Sequence, residues 1–452
     1  MHLFISTLAM YQTRFWYAVA RELVTCGHQV TFISFDERSH EFLRAAGLPS
    51  VNAHASAPSG ESLGDACARL GIEHPNLILS HERAAFGIRD RRILEAKFLK
   101  YLAAVEDSLD RNLIGDERPV LVQELGGFLS VIACFYAARA RSIDNWFIEP
   151  SFFKGRLFVT ANSLSAPKVR GRAEPSQEVL DYLTTTVQKQ AIVIPRKDRL
   201  HYRRPIRKLA NYANARRLVQ KLVDIYLLGK RYEFGYVGHH VRTHVRQVLN
   251  SVRLKRLYTP LEHIHRFVYY PLHVPGDVAL TLRAPEYLDQ IALVEFLARA
   301  VPWPYRVVVK EHPAMVGSLD VSRLRALLNA HDNVHLISPT VNSFEVIRRA
   351  DAVVSINSKS GAEALLLEKP VVVLGDAFYR DSGLIHLLSQ PRELPSILRG
   401  ALANGFCYGT DDVRAFFQAV WDRTFPGELY DETPHNITSF SQSLLVAIGG
   451  HL

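Results

Sequence analysis

The apolar positions of this chain follow two periods. Short, nearly continuous apolar runs recur at His2–Ser6, Gln29–Ser34, Pro119–Gln123, Asn145–Ile148 and Val268–Leu272, then at 306–311, 334–338, 352–356 and 371–375. Such runs predict strands buried on both faces. Between them apolar residues return at helical spacing: Tyr11–Cys26 with Phe15, Val19 and Leu23 in one stripe, Glu82–Leu109, a run to about Arg141, Pro285–Arg299, Ser318–Ala330, Ser343–Ala350 and Gly361–Glu368. Strand, helix, Gly27-His28, strand is a βαβ opening. The alternation breaks once, from about Ala166 to Arg256, where the pattern is helical and basic without strands. The expected organisation is therefore a Rossmann-like domain at 1–165, a basic helical insert at 166–256, a second Rossmann-like domain at 257–410 and a helical tail at 411–452. No G-x-G-x-x-G follows a strand, so a dinucleotide fingerprint is absent.

Composition narrows the class. A chain of 452 residues is too long for one core. With 48% apolar and 22% charged residues, long disorder is not expected. The four cysteines, Cys26, Cys67, Cys134 and Cys407, have no metal spacing and point to reduced thiols and a cytoplasmic location. The N-terminal segment lacks the basic stretch and cleavage site of a signal peptide, and no apolar run reaches the roughly 18 residues of a membrane span. The net charge of +9 is uneven: residues 195–256 hold 17 Lys and Arg against three acids, Asp198, Asp224 and Glu233. Such a block attracts anionic partners. Helical spacing over 210–228, with Leu218, Leu222 and Ile225 apolar, points to an inner-membrane surface or an anionic glycan. A solvated charged face is the bland alternative, and nucleic acid the weakest reading.

Candidate chemistry gathers at the carboxyl ends of the predicted strands, where open α/β sheets bind ligands. After 267–272 come His273, a tight Pro275-Gly276 turn and Asp277, a carboxylate placed to act as nucleophile or base, or simply to cap a helix. After 306–309 come Lys310, Glu311 and His312-Pro313; the ring of His312 can face a phosphate or sit in an ordinary turn. The stretch Ser355–Glu363 places Ser358, Ser360 and Gly361 at a helix N-terminus, which is either a phosphate cradle or plain serine capping. In the first domain Glu149 and Glu124 end strands facing the same cleft, Glu149 ranking first as an acid/base.

Glu149-Pro150, PLHVPGD (271–277), KEHP (310–313) and the stretch from Ser355 to Leu384, in this order, resemble the bacterial capsule polysaccharide biosynthesis family, which includes β-Kdo transferases. The resemblance spans most of the second domain and one strand end of the first; the basic segment matches nothing in it. It implies two doubly wound Rossmann-like domains in a GT-B arrangement and a glycosyltransferase using CMP-Kdo as donor substrate, with retention, onto a lipid-linked or glycan acceptor. It implies no metal and no cofactor. Asp277 would act at the anomeric centre, Glu149 as acid/base, and His312 with Ser358, Ser360, Gly361 and Glu363 would hold the nucleotide. Arg283, Lys310 and Tyr379 would pair the donor carboxylate or phosphate. Two alternatives stay open: a UDP- or GDP-sugar transferase, and a non-catalytic assembly or export factor.

Overall fold

The computed structural model describes residues 1–57, 60–112, 117–190 and 212–450. The part of the basic segment at 191–211 lies outside them. Among the described residues, thirteen strands form two sheets. The first contains β1 (His2–Thr7), β2 (Gln29–Ser34), β3 (Ser50–Asn52), β4 (Pro119–Glu124), β5 (Asp144–Pro150) and β6 (Arg156–Ala161). The second contains β7 (Phe267–Pro271), β8 (Arg306–Lys310), β9 (Val334–Ile337), β10 (Ala352–Ser355), β11 (Val371–Val373) and β12 (His386–Leu387). The last strand, β13 (Phe425–Pro426), returns to the first sheet.

Strand order is β13-β6-β5-β4-β1-β2-β3 in the first sheet and β12-β11-β10-β7-β8-β9 in the second. The second sheet is wholly parallel; in the first only β6 and β13 pair antiparallel. Parallel strands need cover on both faces, which explains the unbroken apolar runs: β1 is buried at all six positions and β11 at all three. The order reverses between β1 and β4, and between β7 and β10. Crevices at such points, outside the strand carboxyl ends, are where ligands enter. The loops after β7 and β10 flank the second one.

Several elements differ from the sequence expectation. The helix expected over Glu82–Leu109 is two, Pro75–Phe86 and Arg91–Asn112, because Gly87 (φ +65°) closes the first with a left-handed cap. The tail carries β13 as well as helices. Its last helix, Pro434–Gly449, packs Phe440 edge-on against Phe15 and Trp16 of helix Met10–Thr25, with ring centroids 5.0 and 5.5 Å apart.

The described part of the basic segment lies against both domains. Asp224 receives Arg38 (2.7 Å) and the Tyr232 hydroxyl (2.6 Å). Glu233 enters the first domain, accepting from Tyr101 (2.6 Å) and Ser130 (2.8 Å) with Lys97 3.1 Å away. Helix Val237–Leu254 reaches the second domain, where Asn250 donates to the carbonyl of Gly317 (3.0 Å).

Candidate functional site

The loop after β7 is fixed by Gln290, whose amide oxygen accepts from the His273 N–H (2.6 Å) and whose amide nitrogen donates to the His273 carbonyl (3.0 Å). At Gly276 the chain passes so close to the first domain that a Cβ would lie 3.1 Å from the Cα of Ala85. Asp277 then caps the short helix Val278–Thr281, one carboxylate oxygen accepting from Ala279 (2.8 Å), while the residue stays exposed. Capping and exposure coexist here. The first domain braces the back of this helix: His81 Nδ1 is 2.7 Å from the Thr281 hydroxyl, and Ser80 donates to the Thr281 carbonyl (2.9 Å).

The loop after β10 is built the same way. Ser355 accepts from the Ser358 N–H (2.9 Å), and Ser358 accepts from the Ser360 N–H (3.2 Å), capping helix Lys359–Leu366. Asn357 donates to the Ala279 carbonyl (2.6 Å), so the two loops form one unit; its amide oxygen is buried without a partner. Lys359 donates across to the Ser151 carbonyl of the first domain (2.5 Å). The N-terminal end of this helix, with Ser358 and Ser360 partly open, suits an anionic group.

Other expected donor contacts are placed differently. Tyr379 is wholly buried; its hydroxyl donates to the Ser358 carbonyl (2.6 Å) and lies 3.1 Å from the Ser355 hydroxyl. It supports the loop from within and cannot face a donor. Gly361 is small for the same reason, since a Cβ there would meet that hydroxyl at 2.1 Å. Lys310 is buried and donates to the Val341 carbonyl (2.9 Å) and the Ser343 hydroxyl (2.7 Å). Burial pulls its ammonium down to about 8, against the attraction of Glu363. Glu363 is buried too; burial pushes its carboxyl up to about 7, against Lys310, Lys359 and Ser360. Both side chains are buried beneath the loop, within electrostatic reach of each other, rather than open to the cleft. His312 caps the turn Pro313–Met315, its Nδ1 accepting from Ala314 (3.3 Å). His273 lies within electrostatic reach of both Asp277 and His312; burial pulls it down to about 4, so it is neutral at physiological pH.

The first domain contributes Glu149, at the end of β5. Arg283 grips it with two bonds, 3.0 and 2.7 Å, and also donates to the carbonyls of Leu164 and Ser165, each at 3.0 Å. All the Arg283 nitrogens are thus engaged, as a clasp between domains. Around this pair lies a cleft lined by Glu149, Ser151, Ala279, Arg283, Asn357 and Asp376, with Phe152, Phe158 and Phe378 as its apolar wall. Glu124 is turned away from this use: it accepts from Trp16 (3.2 Å) and from Tyr430 of the tail. Sequence reasoning missed Asn357, Lys359 and Asp376. The first two lie inside the Ser355–Glu363 motif, so their signal was present but attached to the neighbouring serines. Among the described residues, no group of three His, Cys, Asp or Glu is arranged to hold a metal ion.

Residues 187–390 match the family model described as capsule polysaccharide biosynthesis protein. FixF of Sinorhizobium fredii (strain NBRC 101917 / NGR234) is 36% identical over 133 residues, 29% of this chain and 32% of that protein, so the match spans about a third of the relative. Among solved structures, the KpsC β-Kdo 2,7 transferase of Thermosulfurimonas dismutans aligns over 99% of this chain and 100% of its own at 13% identity, with a TM-score of 0.39. The calicheamicin glycosyltransferase CalG4 aligns over 98% of each chain at 15% identity, with a TM-score of 0.32.

Proposed function

We propose that this chain, a member of the capsule polysaccharide biosynthesis family through residues 187–390, is a glycosyltransferase that takes Kdo from CMP-Kdo with retention and delivers it to a lipid-linked or glycan hydroxyl. One observation carries the reading. The loops that carry the exposed Asp277 and the serine-capped helix start at Ser358 are joined by the Asn357–Ala279 bond at the switch point of the second sheet, and Glu149 lines a cleft with Ala279 and Asn357.

The chemistry follows from these positions. The CMP phosphate sits at the N-terminal end of helix Lys359–Leu366, where the helix dipole favours an anion, and His312 assists its departure. The Asp277 carboxylate attacks the anomeric carbon as the bond to phosphate breaks, giving a glycosyl ester and CMP. The acceptor hydroxyl then displaces Asp277, losing its proton to Glu149; two displacements at one carbon retain configuration. The Kdo carboxylate competes with Glu149 for the Arg283 fork, so donor binding itself frees Glu149 to act as base.

The test is release of CMP from CMP-Kdo by the purified chain. Wild type should release it slowly, and Asp277→Ala should lower the rate by a factor on the order of 1,000 or more, as loss of a catalytic nucleophile does. A wild type that neither releases CMP nor is stabilised against heat by CMP would exclude the donor. Turnover surviving in Asp277→Ala would exclude the nucleophile.

A further inference from the structure

Among the described residues, ten of the fifteen large apolar side chains that are exposed lie between Leu218 and Val252. Single exposed apolar residues need no explanation, but such concentration does. Helix Val237–Leu254 is turned inside out. Its buried side chains include Gln247 and Asn250, which hold Met315 and the Gly317 carbonyl of the second domain. Its exposed side carries Val241, Val245, Leu249 and Val252, the last two 54% and 56% exposed. At 3.6 residues per turn these four fall within an arc of about 80°. Arg242, Arg246 and Arg253 flank one edge of the arc and Lys255 the other, all exposed. The preceding element, Tyr212–Leu222 with its continuation to Leu227, ends in Tyr226, Leu227 and Leu228, exposed to between 59% and 77%.

Charge decides what fits this surface. Residues 212–256 contain two acids, Asp224 and Glu233, and both are buried and paired inside the first domain. The segment therefore shows solvent an apolar arc edged with bases and no acid of its own. A second copy docking on the same face would set arginines against arginines across a two-fold axis. A nucleic acid would use the bases and leave the aliphatic arc wet. A bilayer surface rich in anionic lipid uses both, the side chains of valine and leucine entering the headgroup boundary while arginine heads pair with phosphates.

We propose that Leu218–Arg256 is a membrane-surface docking element selective for anionic lipid. It lies on the bilayer and does not cross it: among the described residues no helix is long and apolar enough to span. The proposal stands on this surface alone and does not depend on the donor reading.

The experiment is flotation of the full chain with vesicles of phosphatidylcholine alone and of equal parts phosphatidylcholine and phosphatidylglycerol. Wild type should float with the anionic vesicles and not with the neutral ones. Arg242→Gln with Arg246→Gln, and separately Val245→Asp with Leu249→Asp, should each weaken partitioning roughly tenfold without lowering the melting temperature, since all four side chains are exposed. Leu249→Trp gives a readout by gain, with emission shifting to the blue on anionic vesicles. Failure of wild type to float would overturn the proposal. So would undiminished flotation of the aspartate variant, a solution dimer that the aspartates dissolve, or oligonucleotide binding that they leave intact while vesicle binding is absent.

Discussion

Glu311 follows β8 almost wholly buried, one oxygen accepting from the Gly317 N–H (3.0 Å) and the other without a partner. Burial pushes its carboxyl up to about 7. A carboxyl whose folded value is raised contributes stability that is fully present below its unfolded value and is lost as pH rises through the folded one. Glu311→Gln removes that titration. The variant should match wild type near about pH 5 and exceed it near about pH 8, by on the order of 2–3 kcal/mol. Urea unfolding at both values measures this, and an equal shift at both would show that the charge is not the cause. Single residues were legible in the sequence where a motif placed them on a loop: Asp277 and Ser358 follow buried strands. Side-chain direction was not legible. Lys310 and Tyr379 belong to the same motifs, yet their partners are Ser343 and a loop carbonyl, neither of which a linear pattern names.

At the level of elements, runs of four to six apolar residues were read correctly as strands because burial on both faces leaves no polar position to confuse the period. The strands that escaped were those with mixed faces, β3 and β6, or with two residues, β12 and β13. The split at Gly87 was hidden because helical spacing continues across it while only the backbone turns. The helix starting at Lys359 offers a sharper test of element packing. Gly361 meets the Tyr379 hydroxyl so closely that Gly361→Ala must displace the ring or the helix, at a cost of roughly 1–3 kcal/mol by overpacking. Tyr379→Phe in the same chain should recover only part of this loss, because a ring carbon remains 2.6 Å from the added Cβ. Thermal melting of the single and double variants reads both. Full recovery would mean that the hydroxyl alone sets the size of residue 361.

The molecule as a whole is joined at the cleft by contacts between residues far apart in sequence, which is why its closure was not legible. Phe152 and Phe153 of the first domain pack at tilted and edge-on angles against Phe417 and Trp421, with centroids 4.9 Å apart in each pair. Beside this apolar hinge sit two polar ties, Lys359 to the Ser151 carbonyl and Arg283 to Glu149. The Arg283 fork can exchange one carboxylate for another. Arg283→Lys keeps the charge but loses the two-point grip, and partly buried Glu149 then keeps only a point charge. Hydrogen exchange should rise together in residues 149–153 and 277–284, on opposite sides of the cleft, while the strands of both sheets keep their protection. If the fork takes the carboxylate of the proposed donor, CMP-Kdo should lower exchange at these segments in Glu149→Gln but only weakly in Arg283→Lys. Equal exchange in wild type and Arg283→Lys would assign closure to the aromatic hinge and leave Glu149 available without any release step.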